Sequence, residues 1–88
     1  NVVRILPVGA RAVIRKGSWE IPPVFSMIAR DGNVEEREMF AVFNMGLGMV
    51  LACRPDMTDR VIARIRRRRM QVWVVGAVER GERSVLIR

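Results

Sequence analysis

Asn44, Gly46 and Gly48 form the most distinctive chemical grouping in the chain, within Phe43-Asn44-Met45-Gly46-Leu47-Gly48-Met49. A carboxamide both donates and accepts hydrogen bonds, and paired glycines let a backbone approach a ligand closely or take positive φ. The combination fits a loop that lines a binding site, with Asn44 supplying the amide. It is not a dinucleotide fingerprint, which follows a strand, opens a helix and carries a third glycine. Here the glycines follow an expected helix and open an expected strand. The plainer alternative is a helix C-cap and a tight strand entry.

Little else in the inventory does acid–base or nucleophilic work. There is no histidine and no tyrosine, and Lys16 is the only lysine. That removes Ser-His and Cys-His dyads, histidine metal ligands and tyrosine acids. The hydroxyls of Ser18, Ser26, Thr58 and Ser84 have no plausible base beside them in sequence. Arginine stays protonated and makes a poor acid or base. No catalytic side chain is therefore assigned, and a self-sufficient enzyme is not expected. Glu35, Glu36 and Glu38 are explained by the first turn of a helix, where the dipole favours negative charge, and no metal site is assigned. Cys53 cannot form an intrachain disulfide, suits a reducing cytoplasm, and reads as an inert core thiol.

The elements that must position the Asn44 segment follow from periodicity. Residues 2–6 read as a helix end, stopped by Pro7 and Gly9. Residues 10–15 alternate as a strand, Ala12 and Ile14 on one face and Arg11, Val13 and Arg15 on the other. Lys16-Gly17-Ser18 is a turn. Pro22-Pro23 opens a helix with Val24, Phe25 and Ile28 as its stripe, and Gly32 ends it at C′. Asn33, with Glu36 three residues on, caps the next helix, whose buried face is Met39, Phe40 and Phe43. Residues 47–53 are apolar throughout and read as a strand covered on both faces. Asp56 caps a helix with Met57, Val61, Ile62 and Ile65 inward and Arg60, Arg64, Arg67 and Arg68 outward. Residues 72–78 are a second buried strand. Residues 80–83 form a hairpin loop and residues 84–88 the closing strand. Residues 47–78 then make a right-handed parallel crossover. The class is α/β (α+β), a two-layer mixed sheet with helices packed on it.

At 88 residues the chain is one small domain at most. It is 50% hydrophobic and 28% charged, which is globular rather than disordered. Its longest apolar runs, residues 47–53 and 72–78, have seven residues each. A membrane helix needs about 20, so no membrane partner is expected. The net charge of +7 raises a nucleic-acid reading. Arg66, Arg67, Arg68 and Arg69 carry four of those charges, leaving +3 over the other 84 residues. No aromatic interleaves the run, as stacking on bases requires, so no specific nucleic-acid partner is expected. The run fits a solvated helix end, where cations complement the dipole.

Three segments taken in order resemble a known family. They are Ser18-Trp19-Glu20-Ile21-Pro22-Pro23-Val24-Phe25, then Gly32-Asn33-Val34-Glu35-Glu36 with Glu38-Met39-Phe40, then the Asn44 segment. Trp73-x-x-Gly76 follows. Over nearly the whole chain this is similar to the C-terminal part of aminoimidazole ribonucleotide synthetase, the phosphoribosylformylglycinamidine cyclo-ligase family. The resemblance implies ATP-dependent closure of formylglycinamidine ribonucleotide to aminoimidazole ribonucleotide in purine biosynthesis. It also implies a cytoplasmic homodimer, a small nucleotide substrate, and ATP and magnesium bound mainly by an N-terminal domain. The chain opens Asn1-Val2-Val3 without methionine. Residues 1–88 are then expected to be a single fragment, the second half of the C-terminal domain, lacking the N-terminal ATP-binding domain and the first half of its own domain. Such a fragment is expected to be inactive alone. The competing classes are a small basic nucleic-acid-binding module and a stand-alone interaction domain.

Overall fold

The computed structural model describes residues 1–88, and the chain divides into two compact units. One comprises Asn1–Trp19 with Leu51–Arg88, the other Glu20–Val50.

The first unit is built on β1 (Ala10–Ile14), where Ala12 and Ile14 are buried as the alternation predicts. β1 is the central strand. β2 (Gly76–Arg80) runs antiparallel to it, with Ala10 opposite Arg80 and Ile14 opposite Gly76. β3 (Ser84–Ile87) runs parallel to it, with Arg11 opposite Ser84 and Ile14 opposite Ile87. The sheet is mixed, as expected, but its order is β2-β1-β3. The predicted hairpin between the last two strands is therefore not formed. Residues 81–83 instead cross the start of β1. There the Gly81 N–H donates to the Gly9 carbonyl at 3.0 Å, and Arg83 Nε donates to the Leu6 carbonyl at 2.8 Å. Inserting β1 gives its backbone groups partners on both sides, which a hairpin to one side leaves unmade.

Gly76 is obligatory at the first step of β2. A Cβ there would fall on the Val13 carbonyl oxygen of the neighbouring strand. The spacing Trp73-x-x-Gly76 thus encodes a close approach of two backbones. The ladder proper begins at Gly76 rather than at residue 72, although the Val75 carbonyl already accepts from the Arg15 N–H at 2.8 Å.

Residues 47–53 are not a strand, and Met49 and Leu51 are exposed. Without that strand the expected parallel crossover does not exist. An apolar run supplies side chains that suit a sheet, but a ladder also needs a partner backbone. Cys53 is accordingly exposed, not buried, with its Sγ 3.8 Å from Thr58 Oγ1. Asp56 does not cap a helix either. It lies in a short 3₁₀ turn, Pro55–Met57, and pairs with Arg54 at 3.3 Å. The third helix, α3, follows at Thr58–Arg67, with Val61, Ile62 and Ile65 half-buried and its arginines exposed.

The second unit holds α1 (Pro23–Asp31) and α2 (Glu36–Val42). Pro23 opens α1, where a missing N–H leaves no bond unmade. Asn33 does not cap α2; it closes α1. It takes the left-handed conformation, φ 50°, one residue after the expected Gly32. The Val34 N–H then donates to the Ala29 carbonyl at 2.9 Å and the Asn33 N–H to the Arg30 carbonyl at 3.3 Å. This is a Schellman pair, and it consumes the residue that the capping box required. The N-cap of α2 is Glu35, with no side-chain bond. Met39 is 2% exposed, the most deeply buried side chain. Burial on that scale contributes about 1.5–3 kcal/mol. Phe25 and Phe43 meet edge to face, ring centres 5.9 Å apart. Val24 is exposed, so the inward stripe of α1 is Phe25, Ile28 and Ala29. No helix is long and apolar enough to cross a membrane.

Candidate functional site

α2 ends at Val42, and Phe43 leaves it in an extended conformation, φ −108° and ψ 153°. The next four residues make a tight turn. The Leu47 N–H donates to the Asn44 carbonyl at 3.0 Å. Both central residues have positive φ, Met45 at 54° and Gly46 at 97°. That is a type I′ turn, with the favoured Gly at its second central position and Met45 where Asn or Asp is usual.

The Asn44 side chain reinforces the same turn. Its Oδ1 accepts a 2.9 Å hydrogen bond from the Gly46 N–H. The carboxamide oxygen is thereby held, and its orientation fixed, before any ligand arrives. The two Nδ2 hydrogens sit on an exposed residue and are available to an acceptor. The structure thus brings Asn44 and Gly46 together in one hydrogen-bonded unit and leaves Gly48 two residues beyond it.

The two glycines differ. Gly46 is fixed by the fold twice over, once by its φ and once because a Cβ would stand 2.5 Å from Pro22 Cδ. Gly48 has open space around a hypothetical Cβ and no positive φ. Nothing in the chain's own packing requires glycine there.

Met45 is the residue that sequence reasoning passes over. It is a non-glycine residue in the left-handed region and is also buried. Such a conformation costs roughly 1–2 kcal/mol. Asn33 and Arg69 share positive φ, but each terminates a helix. Met45 terminates none, and the strain sits between the two candidate ligand-binding residues. Its side chain lines an open cavity of about 380 Å³ with Ile21, Phe25, Val34, Met39 and Phe40. The turn is therefore pinned from below by an apolar anchor and from within by the Asn44 oxygen. The readable signal was Asn-x-Gly itself, a turn sequence with a long apolar residue at its centre.

Residues 1–88 match, end to end, the family described as AIR synthase related protein, C-terminal domain. The chain belongs to that family. Among curated relatives named phosphoribosylformylglycinamidine cyclo-ligase, the protein of Lachnospira eligens is 46% identical over 87 residues, 99% of this chain and 26% of its own length. That of Caldicellulosiruptor bescii is 42% identical over 88 residues, the whole of this chain and 26% of its own. That of Symbiobacterium thermophilum is 49% identical over 82 residues, 93% of this chain and 23% of its own. The chain spans about a quarter of the length of these relatives. The mixed sheet with its three helices is the α/β architecture expected for a part of this C-terminal domain.

Proposed function

We propose that these residues serve as part of an ATP-dependent cyclo-ligase that closes formylglycinamidine ribonucleotide to aminoimidazole ribonucleotide in purine biosynthesis. The observation that carries the reading is the family match over residues 1–88. In this reading the whole enzyme is a cytoplasmic homodimer. The first half of the C-terminal domain and the N-terminal domain complete each chain.

The role assigned to this chain is binding and orientation. Asn44 donates from Nδ2 to an acceptor on the substrate, and Gly46 and Gly48 keep the adjoining surface bare. ATP would supply phosphoryl activation of an amide oxygen, and magnesium, where bound, would offset phosphate charge. No three His, Cys, Asp or Glu side chains are grouped here to hold a metal. These residues do not fit a magnesium site, so no step of the reaction is placed on them. A chain poor in acids and bases suits such a division, because phosphoryl transfer depends mostly on positioning and charge stabilisation.

The test is a hybrid enzyme in which these 88 residues replace the matched quarter of the Lachnospira eligens relative. The hybrid is expected to form aminoimidazole ribonucleotide with ATP, and the 88-residue chain alone is not. A folded hybrid without turnover, or turnover by the isolated chain, contradicts the reading. In the active hybrid, Asn44→Ala is expected to lower kcat/KM about tenfold or more, the scale of a hydrogen bond to a charged group.

A further inference from the structure

Asn44 is exposed, yet both of its neighbours in sequence are held from below. Phe43 meets Phe25 edge to face at 5.9 Å, and Met45, 8% exposed, reaches into the cavity that Met39 and Phe40 also line. Gly46 closes the turn against the Pro22 ring. Of these residues Met45 is the one that carries a cost. The first central position of a type I′ turn ordinarily takes asparagine, aspartate or glycine, and methionine has no preference for positive φ. Unopposed, the left-handed strain at φ 54° is a factor of about 5–30 against the closed turn. Burial opposes it, because opening the turn would return the thioether side chain to water. Asparagine or glycine would make the same turn without the cavity; methionine relies on it. Closure of the turn, and with it the direction in which Asn44 presents its Nδ2 hydrogens, is thus coupled to the packing underneath.

We infer that Met45 is a positioning residue for Asn44: its burial holds the turn in the strained form that presents the carboxamide to substrate. The inference rests on the proposed function, in which Asn44 donates to substrate. Met45 is itself buried, so its effect on turnover passes through Asn44.

Two quantities test this. One is hydrogen exchange of the Gly46 and Leu47 amides, whose bonds to Asn44 close the turn, read in the chain alone and in the Lachnospira eligens hybrid. The other is kcat/KM of the hybrid. Met45→Ala removes the anchor and keeps the left-handed cost. It is expected to speed both amides about tenfold and to lower kcat/KM about tenfold, since only the closed fraction binds. Met45→Leu conserves apolar volume and is expected to keep both quantities within about threefold. Met45→Gly removes the anchor and the cost together, and is expected to keep kcat/KM within about threefold although the protein loses stability. In an Asn44→Ala background, Met45→Ala should lower kcat/KM less than about threefold further, because the two residues act through one donor.

Equal losses of kcat/KM in Met45→Ala and Met45→Gly overturn the inference, since they report the emptied cavity and not the turn. So does a further loss of about tenfold in the Asn44→Ala background, which gives Met45 a contribution of its own. If Met45→Ala does not fold, Met45→Ile decides. It keeps the bulk and raises the left-handed cost, so its amides should exchange faster than those of Met45→Leu, and equal exchange overturns the inference. An inactive hybrid whose amides follow the expected order removes the proposed function and leaves Met45 as the residue that holds Asn44. An active hybrid in which Met45→Ala changes neither the amides nor kcat/KM does the reverse.

Discussion

The turn at residues 44–47 and the strand edge at residues 74–80 solve opposite problems. The turn satisfies itself within four residues: two backbone positions with positive φ, a 3.0 Å closing bond, and an Asn44 side chain bonded back at 2.9 Å. The edge is held by β1 along its inner side, and Arg15 Nη2 donates to the Val74 carbonyl at 3.2 Å. Local chemistry fixes the first. The second depends on distant sequence, because β2 has a ladder only where β1 lies beside it.

The glycines give the sharpest ways to break this contrast. Gly76→Ala is expected to have the largest effect, because the new methyl must displace the Val13 carbonyl in the neighbouring strand. Urea unfolding of the isolated chain should show a loss of about 3 kcal/mol, at the upper end for overpacking, or no cooperative transition at all. A loss under about 1 kcal/mol would mean the β1–β2 approach is looser than described. Gly46→Ala comes next, at about 2 kcal/mol, from the strained φ together with the Pro22 ring. Gly48→Ala should change stability by less than about 0.5 kcal/mol, as an exposed site with open space does. If Gly48→Ala costs as much as Gly46→Ala, the distinction between a glycine held by the fold and one available to a ligand disappears.

The arginine run should show the smallest effect. Arg66, Arg67, Arg68 and Arg69 are exposed at the end of α3. Replacing Arg67 and Arg68 by glutamine should leave the hybrid's activity within about threefold, as exposed substitutions usually do. A hundredfold loss would instead give the run a phosphate-binding role.

Much of the molecule is legible from local patterns. The alternation of Ala12 and Ile14, the prolines at the start of α1, the amphipathic face of α3 and the buried Met39 are all set within one turn or one strand. The misreadings share a cause. Residues 47–53 and 72–78 look alike as apolar runs, yet the first pairs with nothing and the second pairs only from Val75 onward. Composition states what a strand would bury and says nothing about which backbone lies beside it. The expected hairpin failed for the same reason, since β1 takes the place between β2 and β3. Asn33 was misplaced because asparagine suits both an N-cap and a left-handed C′ position, and one residue cannot do both. At the candidate site the expected strand entry is instead a closed turn at residues 44–47. The strain at Met45 was not legible, because a methionine in the left-handed region has no sequence signature.

In the proposed role Asn44 donates to substrate from Nδ2 while its own Oδ1, bonded to the Gly46 N–H, holds the side chain in place. Asn44→Asp separates the two functions of the carboxamide. The carboxylate keeps an acceptor for the Gly46 N–H and lacks the Nδ2 hydrogens. In the active hybrid, the substitution should leave thermal stability within about 0.5 kcal/mol, because the turn bond is retained. It should lower kcat/KM about tenfold or more, because the donor is lost. Full activity in the Asn44→Asp enzyme would contradict the account and leave Asn44 a turn residue only.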